Sequence, residues 1–96
     1  MDKSYDWNPD KNRTLQDTRG VSFDDVIDSL KNNLGVDDAP HPNKEKYPSQ
    51  RMMTVIIRDY CYLVPYIENQ DSRFLKTIIP SRKATKKYLL KIKDKL

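Results

Sequence analysis

Arg82 is the side chain best placed to grip a phosphate. It lies in Ile-Ile-Pro-Ser-Arg-Lys-Ala-Thr, residues 78–85, where an apolar strand gives way to a helix. A guanidinium fork fits phosphate oxygens, and the first N–H groups of a helix favour the same ligand. Lys83, Lys86 and Lys87 follow it closely and suit guiding a nucleic-acid backbone. Lys76 sits in Arg-Phe-Leu-Lys-Thr-Ile-Ile, residues 73–79. Strand alternation puts it on one face with Phe74 and Ile78, where partial desolvation would lower its pKa toward that of a base. An amine reaching from the sheet into water is the plainer alternative. Tyr60, Tyr62 and Tyr66 alternate onto one strand face; they suit base stacking, or pack as core under helices. Arg51 would join a phosphate site if its face matched. His41, in Ala-Pro-His-Pro-Asn, is the only side chain whose unperturbed pKa is near neutrality. It is a candidate proton carrier, although lone loop histidines are commonly solvated or structural.

Charge supports an anionic partner. Residues 73–96 hold nine Lys or Arg and one acid, a formal +8, while residues 1–72 sum to −4, giving the chain its +4. A basic end on a mildly acidic domain points to a polyanion, most commonly nucleic acid, whose phosphates release counterions to Lys and Arg. A solvated helix face would carry the same run of charge. The 96 residues fit one domain with a modest core. At 36% hydrophobic and 33% charged, the chain is polar enough that a partner is expected to cover some apolar surface. A single cysteine, Cys61, excludes an internal disulfide and suits a reducing compartment. One His and one Cys are too few for a conventional structural zinc site, and no cofactor is expected. No run approaches the ~18 apolar residues of a membrane span. Residues 1–20 are charged throughout and lack a secretory pattern. A cytoplasmic location is expected.

The elements that must position these groups follow from pattern. Residues 4–8 read as an extended start with Tyr5 and Trp7 on one side. Asn8 and Pro9 read as N-cap and first turn of a short polar helix over 9–19, closed by Gly20. Ser22-Phe23-Asp24-Asp25 resembles a capping box. The helix after it, about 23–33, carries Phe23, Val26, Ile27 and Leu30 as one apolar stripe. Asp24, Asp25 and Asp28 lie on its outer side, where helix-start electrostatics explain the first two as well as a metal would. Residues 36–50 hold three prolines and read as a long loop, after a brief strand near Leu34–Val36. Three antiparallel strands are expected over 51–57, 60–67 and 73–79. Pro65 marks an edge or a bulge. A basic helix opening at Pro80-Ser81 has the stripe Ala84, Tyr88, Leu89, Ile92 and Leu96. The class is α+β: a meander with two helices before it and one after.

Three pieces in this order resemble the BrnT family of toxins. Tyr5-Asp6-Trp7-Asn8-Pro9-Asp10-Lys11 is similar to the family's opening F-x-W-D-P-x-K. Gly20-Val21-Ser22-Phe23-Asp24-Asp25 resembles its G-V-S-F-E-E, and Ile78-Ile79-Pro80-Ser81-Arg82-Lys83-Ala84-Thr85 resembles its I-I-S-A-R-x-A-T. Arg19 and Thr77 stand where the family usually has His and often has Arg. The resemblance implies a RelE-like fold and a type II toxin that cleaves RNA. It implies a partner too, a BrnA-like antitoxin with a DNA-binding region, in a hetero-oligomeric complex. Metal-independent cleavage through the ribose 2′-OH needs a base, cations on the scissile phosphate, and an acid for the leaving 5′-oxygen. On the resemblance, Arg82 clamps phosphate. Lys76, Arg51 and His41 are the other catalytic candidates, and Lys83, Lys86, Lys87, Tyr60 and Tyr62 are RNA contacts. A non-catalytic module of the same fold, binding nucleic acid or protein, is the alternative.

Overall fold

Local signals set the two N-terminal helices. The chain, whose computed structural model describes residues 3–89, begins with strand β1 (Ser4–Asp6) and helix α1 (Pro9–Arg19). The Asn8 side chain accepts the N–H groups of Asp10 and Lys11 at 2.8 and 3.2 Å. Those donors have no partner inside the helix. Gly20, at φ 70°, ends the helix by donating its N–H to the Gln16 carbonyl, a left-handed stop that glycine tolerates without a Cβ penalty. Helix α2 (Phe23–Lys31) starts on a complete capping box. Asp25 N–H donates to Ser22 Oγ at 3.2 Å, and Ser22 N–H to the Asp25 carboxylate at 2.9 Å. Asp25 also pairs with Arg58, and Asp24 accepts from Asn12. The helix ends two residues earlier than the stripe suggests, because Asn33 turns left-handed at φ 60°.

The sheet is mixed, in the order β1-β5-β4-β3-β2. Strands β2 (Gly35–Pro40), β3 (Gln50–Ile57), β4 (Tyr60–Glu68) and β5 (Ser72–Leu75) pair antiparallel. The short β6 (Ile79–Pro80) also pairs with β4, and β1 lies parallel to β5. The β3–β4 turn is Arg58-Asp59, both at positive φ, the turn class whose twist matches a hairpin.

Three expectations are corrected. The segment read as loop from residue 36 is strand as far as Pro40; its charges and proline are those of an edge strand, which must resist further pairing. The sheet is not a pure meander, since β1 adds in parallel. The strand expected over 73–79 breaks between Leu75 and Ile79. Leu75 lies opposite Tyr66 but Ile79 lies opposite Leu63, so one extra residue sits on this side. Pro65 faces the break. Its carbonyl accepts the Lys76 N–H at 2.8 Å, and it has no N–H to return, so the ladder cannot continue. The inserted residue moves Ile78 onto the Leu75 face, fully buried, and leaves Lys76 exposed. Lys76 therefore does not share a face with Ile78.

Both sheet faces are covered. On one, α1 and α2 close over Met53, Val55, Ile57, Val64, Tyr66, Leu75 and Ile78, with Phe23 and Val26 from α2. Trp7 stacks on Phe23 at 5.6 Å between centroids. On the other, helix α3 (Arg82–Ala84) runs into a π-helical turn, Thr85–Leu89, and packs Ala84 and Leu89 on Ile56 and Cys61. The strict alternation along β4 is thus an alternation between two cores. The expected stripe members Ile92 and Leu96 lie outside the described residues. The class is α+β. Among the described residues no helix is long and apolar enough to cross a membrane.

Candidate functional site

The anticipated catalytic side chains fall on different parts of the fold. Arg82, Lys83, Lys86 and Lys87 are exposed on the C-terminal turn, on the sheet face opposite Arg51. None forms an ion pair with an acid among the described residues. The Ser81 hydroxyl accepts the Ala84 N–H at 3.1 Å and so caps this turn itself. Lys87 lies over the Tyr88 ring at 5.1 Å. Lys83 and Lys87 border a shallow hollow of about 190 Å³ with Asp37, Thr54 and Tyr88.

His41 is tied into its loop. Its Nδ1 accepts the Asn43 N–H at 3.0 Å, and its ring meets Tyr47 at 4.6 Å. Lys76 is exposed, with its amine 5.8 Å from the Phe74 centroid. The three tyrosines separate in role. Tyr66 is fully buried and belongs to the core. Tyr60 and Tyr62 are half-buried and form an edge-to-face pair at 5.6 Å, so only these two are available for stacking. Arg19 donates to the Ile78 carbonyl at 2.5 Å and braces the strand break.

The structure assembles a different cluster on the α2 side of the sheet. Register does the work: Tyr5 lies beside Arg73, and Arg51 lies opposite Tyr66. The Tyr66 hydroxyl reaches both carboxylate oxygens of Asp38, at 2.8 and 2.7 Å. Arg51 Nε donates to Asp38 and to the Tyr66 oxygen, each at 3.2 Å. Arg73 lies 5.8 Å from the Tyr5 centroid and 5.9 Å from that of Tyr66. Its Nη1 donates to the Tyr5 hydroxyl at 3.0 Å, and its Nε to Glu68 at 3.3 Å. Lys3 completes the network on Glu68 at 2.8 Å.

These contacts set the titration of the cluster. Burial, reinforced by the hydrogen bond to Asp38, pushes Tyr66 up to about 12, so it remains a proton donor near neutrality. The Tyr66 hydrogen bond and the Asp38 charge raise Arg51. Burial pulls Arg73 down, but Tyr5 and Glu68 outweigh it and raise its pKa. Lys3, then Arg73, hold Glu68 below the usual carboxylate range. Both arginines are therefore fixed cations.

A cavity of about 360 Å³ opens onto this cluster, lined by Tyr5, Arg73, Asp37 and Asp38 among polar residues and Leu30 and Met53 among apolar ones. A neighbouring hollow of about 450 Å³ shares Tyr5 and Arg73 and adds Ile27 and Lys31. Concavity, an apolar wall and a few convergent polar groups mark the usual composition of a binding site. Asp37 borders both this cavity and the hollow beneath Lys83 and Lys87, so the β2 edge is the ridge between the basic turn and the cleft.

Sequence reading gave Arg73 no role beyond its charge and its place in a strand, placed Asp38 in a loop and set Tyr5 beside Trp7 on one side of an extended start. The parallel pairing of β1 with β5 joins Tyr5 to Arg73, and no local signal announces it. No family model, curated protein or solved structure matches the chain.

Proposed function

We propose that this chain is a RelE-like toxin of a type II toxin–antitoxin pair. On this reading it is a metal-independent endoribonuclease acting in the cytoplasm and neutralised by a BrnA-like, DNA-binding antitoxin. The observation that carries the reading is the exposed basic turn. Arg82, Lys83, Lys86 and Lys87 project four cations within six residues, beside the half-buried Tyr88 and one edge strand away from a cleft lined by Arg73. A negatively charged strand gains affinity there by counterion release, while the rings of Tyr60 and Tyr62 offer stacking surface. The resemblance of residues 5–11, 20–25 and 78–85 to the toxin family supports the same reading. In it, Arg82 grips an RNA phosphate.

Expression of the chain alone should arrest growth, and co-expression of the adjacent gene should relieve the arrest. The purified protein should cut RNA, with or without ribosomes, to a 2′,3′-cyclic phosphate and a 5′-hydroxyl. Arg82→Ala should keep its circular dichroism spectrum, weaken RNA binding and lower the salt-dependence slope by roughly one.

A second reading, a non-catalytic nucleic-acid- or protein-binding module, draws on the separation of Arg82, Arg51 and His41 over different parts of the fold. It expects RNA binding at the basic turn with no cleavage by the wild type under any of these conditions.

A further inference from the structure

The cleft between α2 and the sheet holds, in one cavity, each part that 2′-OH transesterification requires. Asp38 presents a carboxylate whose side chain is 45% exposed, open to a substrate yet oriented by Tyr66 and Arg51 behind it. Arg73 is held between two tyrosine rings. Its Nε and one Nη1 hydrogen are engaged, and no acceptor among the described residues bonds Nη2. The Tyr5 hydroxyl accepts from Arg73, so its own proton is directed elsewhere. Asp38, Arg73 and Tyr5 all line the same cavity of about 360 Å³. Leu30 and Met53 form its apolar wall, and the adjoining hollow has room for a neighbouring nucleotide.

The geometry points to this cleft as the seat of RNA cleavage, with Asp38 as general base, Arg73 as clamp on the scissile phosphate and Tyr5 as general acid, acting on single-stranded RNA. The inference rests on the ribonuclease reading above and names its site. Asp38 takes the proton of the ribose 2′-OH, and the 2′-oxygen forms a bond to phosphorus. The two free Nη2 hydrogens of Arg73 meet the non-bridging oxygens, where negative charge builds. The bond from phosphorus to the 5′-oxygen breaks, and the Tyr5 proton passes to that oxygen. The products are a 2′,3′-cyclic phosphate and a 5′-hydroxyl. Asp38 is left protonated and Tyr5 ionised, and exchange with water restores both. Arg51 and Tyr66 are positioning residues: they fix the carboxylate and do not touch the substrate. Single strands fit because the 2′-hydroxyl must rotate into line with the leaving oxygen, which a paired helix prevents.

The test uses the full chain and a labelled single-stranded RNA oligonucleotide, beside one with a deoxyribose at the scissile position. Asp38→Asn keeps an acceptor for Tyr66. It should cut at least about 100-fold more slowly and bind the uncleavable oligonucleotide within about threefold of wild type. Tyr5→Phe should slow natural RNA by a similar factor. It should regain most of the wild-type rate on a uridine 3′-p-nitrophenyl phosphate, whose leaving group needs no proton. That rescue is something a structural role for Tyr5 would not produce, and it carries the test alone should Asp38→Asn not fold. A wild type that cleaves RNA, with folded Asp38→Asn and Tyr5→Phe cleaving within threefold of it, overturns the assignment and leaves the ribonuclease reading standing. A wild type that cleaves neither substrate overturns both.

Discussion

Replacing Tyr66 with Phe removes one oxygen atom from the most connected point of the sheet. The ring is fully buried and its packing is retained, so the change isolates the hydroxyl. That hydroxyl donates to the Asp38 carboxylate at 2.7–2.8 Å and accepts from Arg51 at 3.2 Å. A hydrogen bond to a charged group contributes about 1.5–3 kcal/mol. Here water can partly compensate, since the Arg51 and Asp38 side chains are 36% and 45% exposed and stay paired at 3.2 Å. The expected cost at pH 7 is therefore about 1–2 kcal/mol, or roughly 5–15 °C in Tm for a domain of this size. The pH dependence adds a second signature. Burial first, and then Asp38, raise the folded-state pKa of Tyr66 from 10.0 to about 12. A raised pKa means that the folded protein holds the proton more tightly. Its contribution is thus complete below pH 10 and is lost as pH climbs toward 12, a loss of roughly 2–3 kcal/mol. The variant has nothing to lose there. Chemical denaturation of both proteins from pH 7 to 12 should show the wild type leading at neutral pH, the gap closing above pH 10 and the variant level or ahead by pH 12. Parallel curves, or a neutral-pH difference below about 0.5 kcal/mol, would refute the bonding described for Tyr66.

Phe23→Ala removes a fully buried ring and the stacking partner of Trp7; it should cost about 3–5 kcal/mol in urea denaturation and shift Trp7 fluorescence. Ser29→Ala removes the hydroxyl that donates to the Ile56 carbonyl at 2.6 Å within the core, and thermal melts should show a loss of about 1–2 kcal/mol. Gly20→Ala meets no atom within 4 Å, but at φ +70° a Cβ is strained by roughly 1–2 kcal/mol; the same melts should report that cost without a change in the folded spectrum.

What the sequence discloses is what neighbours in the chain decide. Asn8-Pro9, Gly20 and the Ser22–Asp25 box are complete signals within four residues; both helices begin on them, and the first ends on Gly20. Tyr60 to Ile67 alternate because the strand has a core on each side, so the period is legible even though the identity of each core is not. Strand β2 escaped because an edge strand survives on its neighbour's hydrogen bonds and can carry Asp37, Asp38 and Pro40. The break at residues 76–78 is decided by Pro65 on another strand, and it alone reverses the face of Ile78. The candidate site was the least legible part. Asp38, Tyr5 and Arg73 are unremarkable in their own segments and are brought to one cavity only through register. The exposed cations from Arg82 to Lys87 needed no register and were read directly.

Tyr5 and Arg73 are 68 positions apart, and they meet only because β1 adds to the far side of β5. Synthesis delivers β1 first and β5 only after β2, β3 and β4, while chains fold progressively from the N-terminus. Until residues 72–74 are made the first strand lacks its partner, and the cleft lacks Arg73. A chain cut short before residue 73 can therefore form neither the β1–β5 pairing nor the Arg73–Tyr5 hydrogen bond. The parallel strand that makes the sheet mixed thus waits, for its only partner in the sheet among the described residues, on residues 72–74.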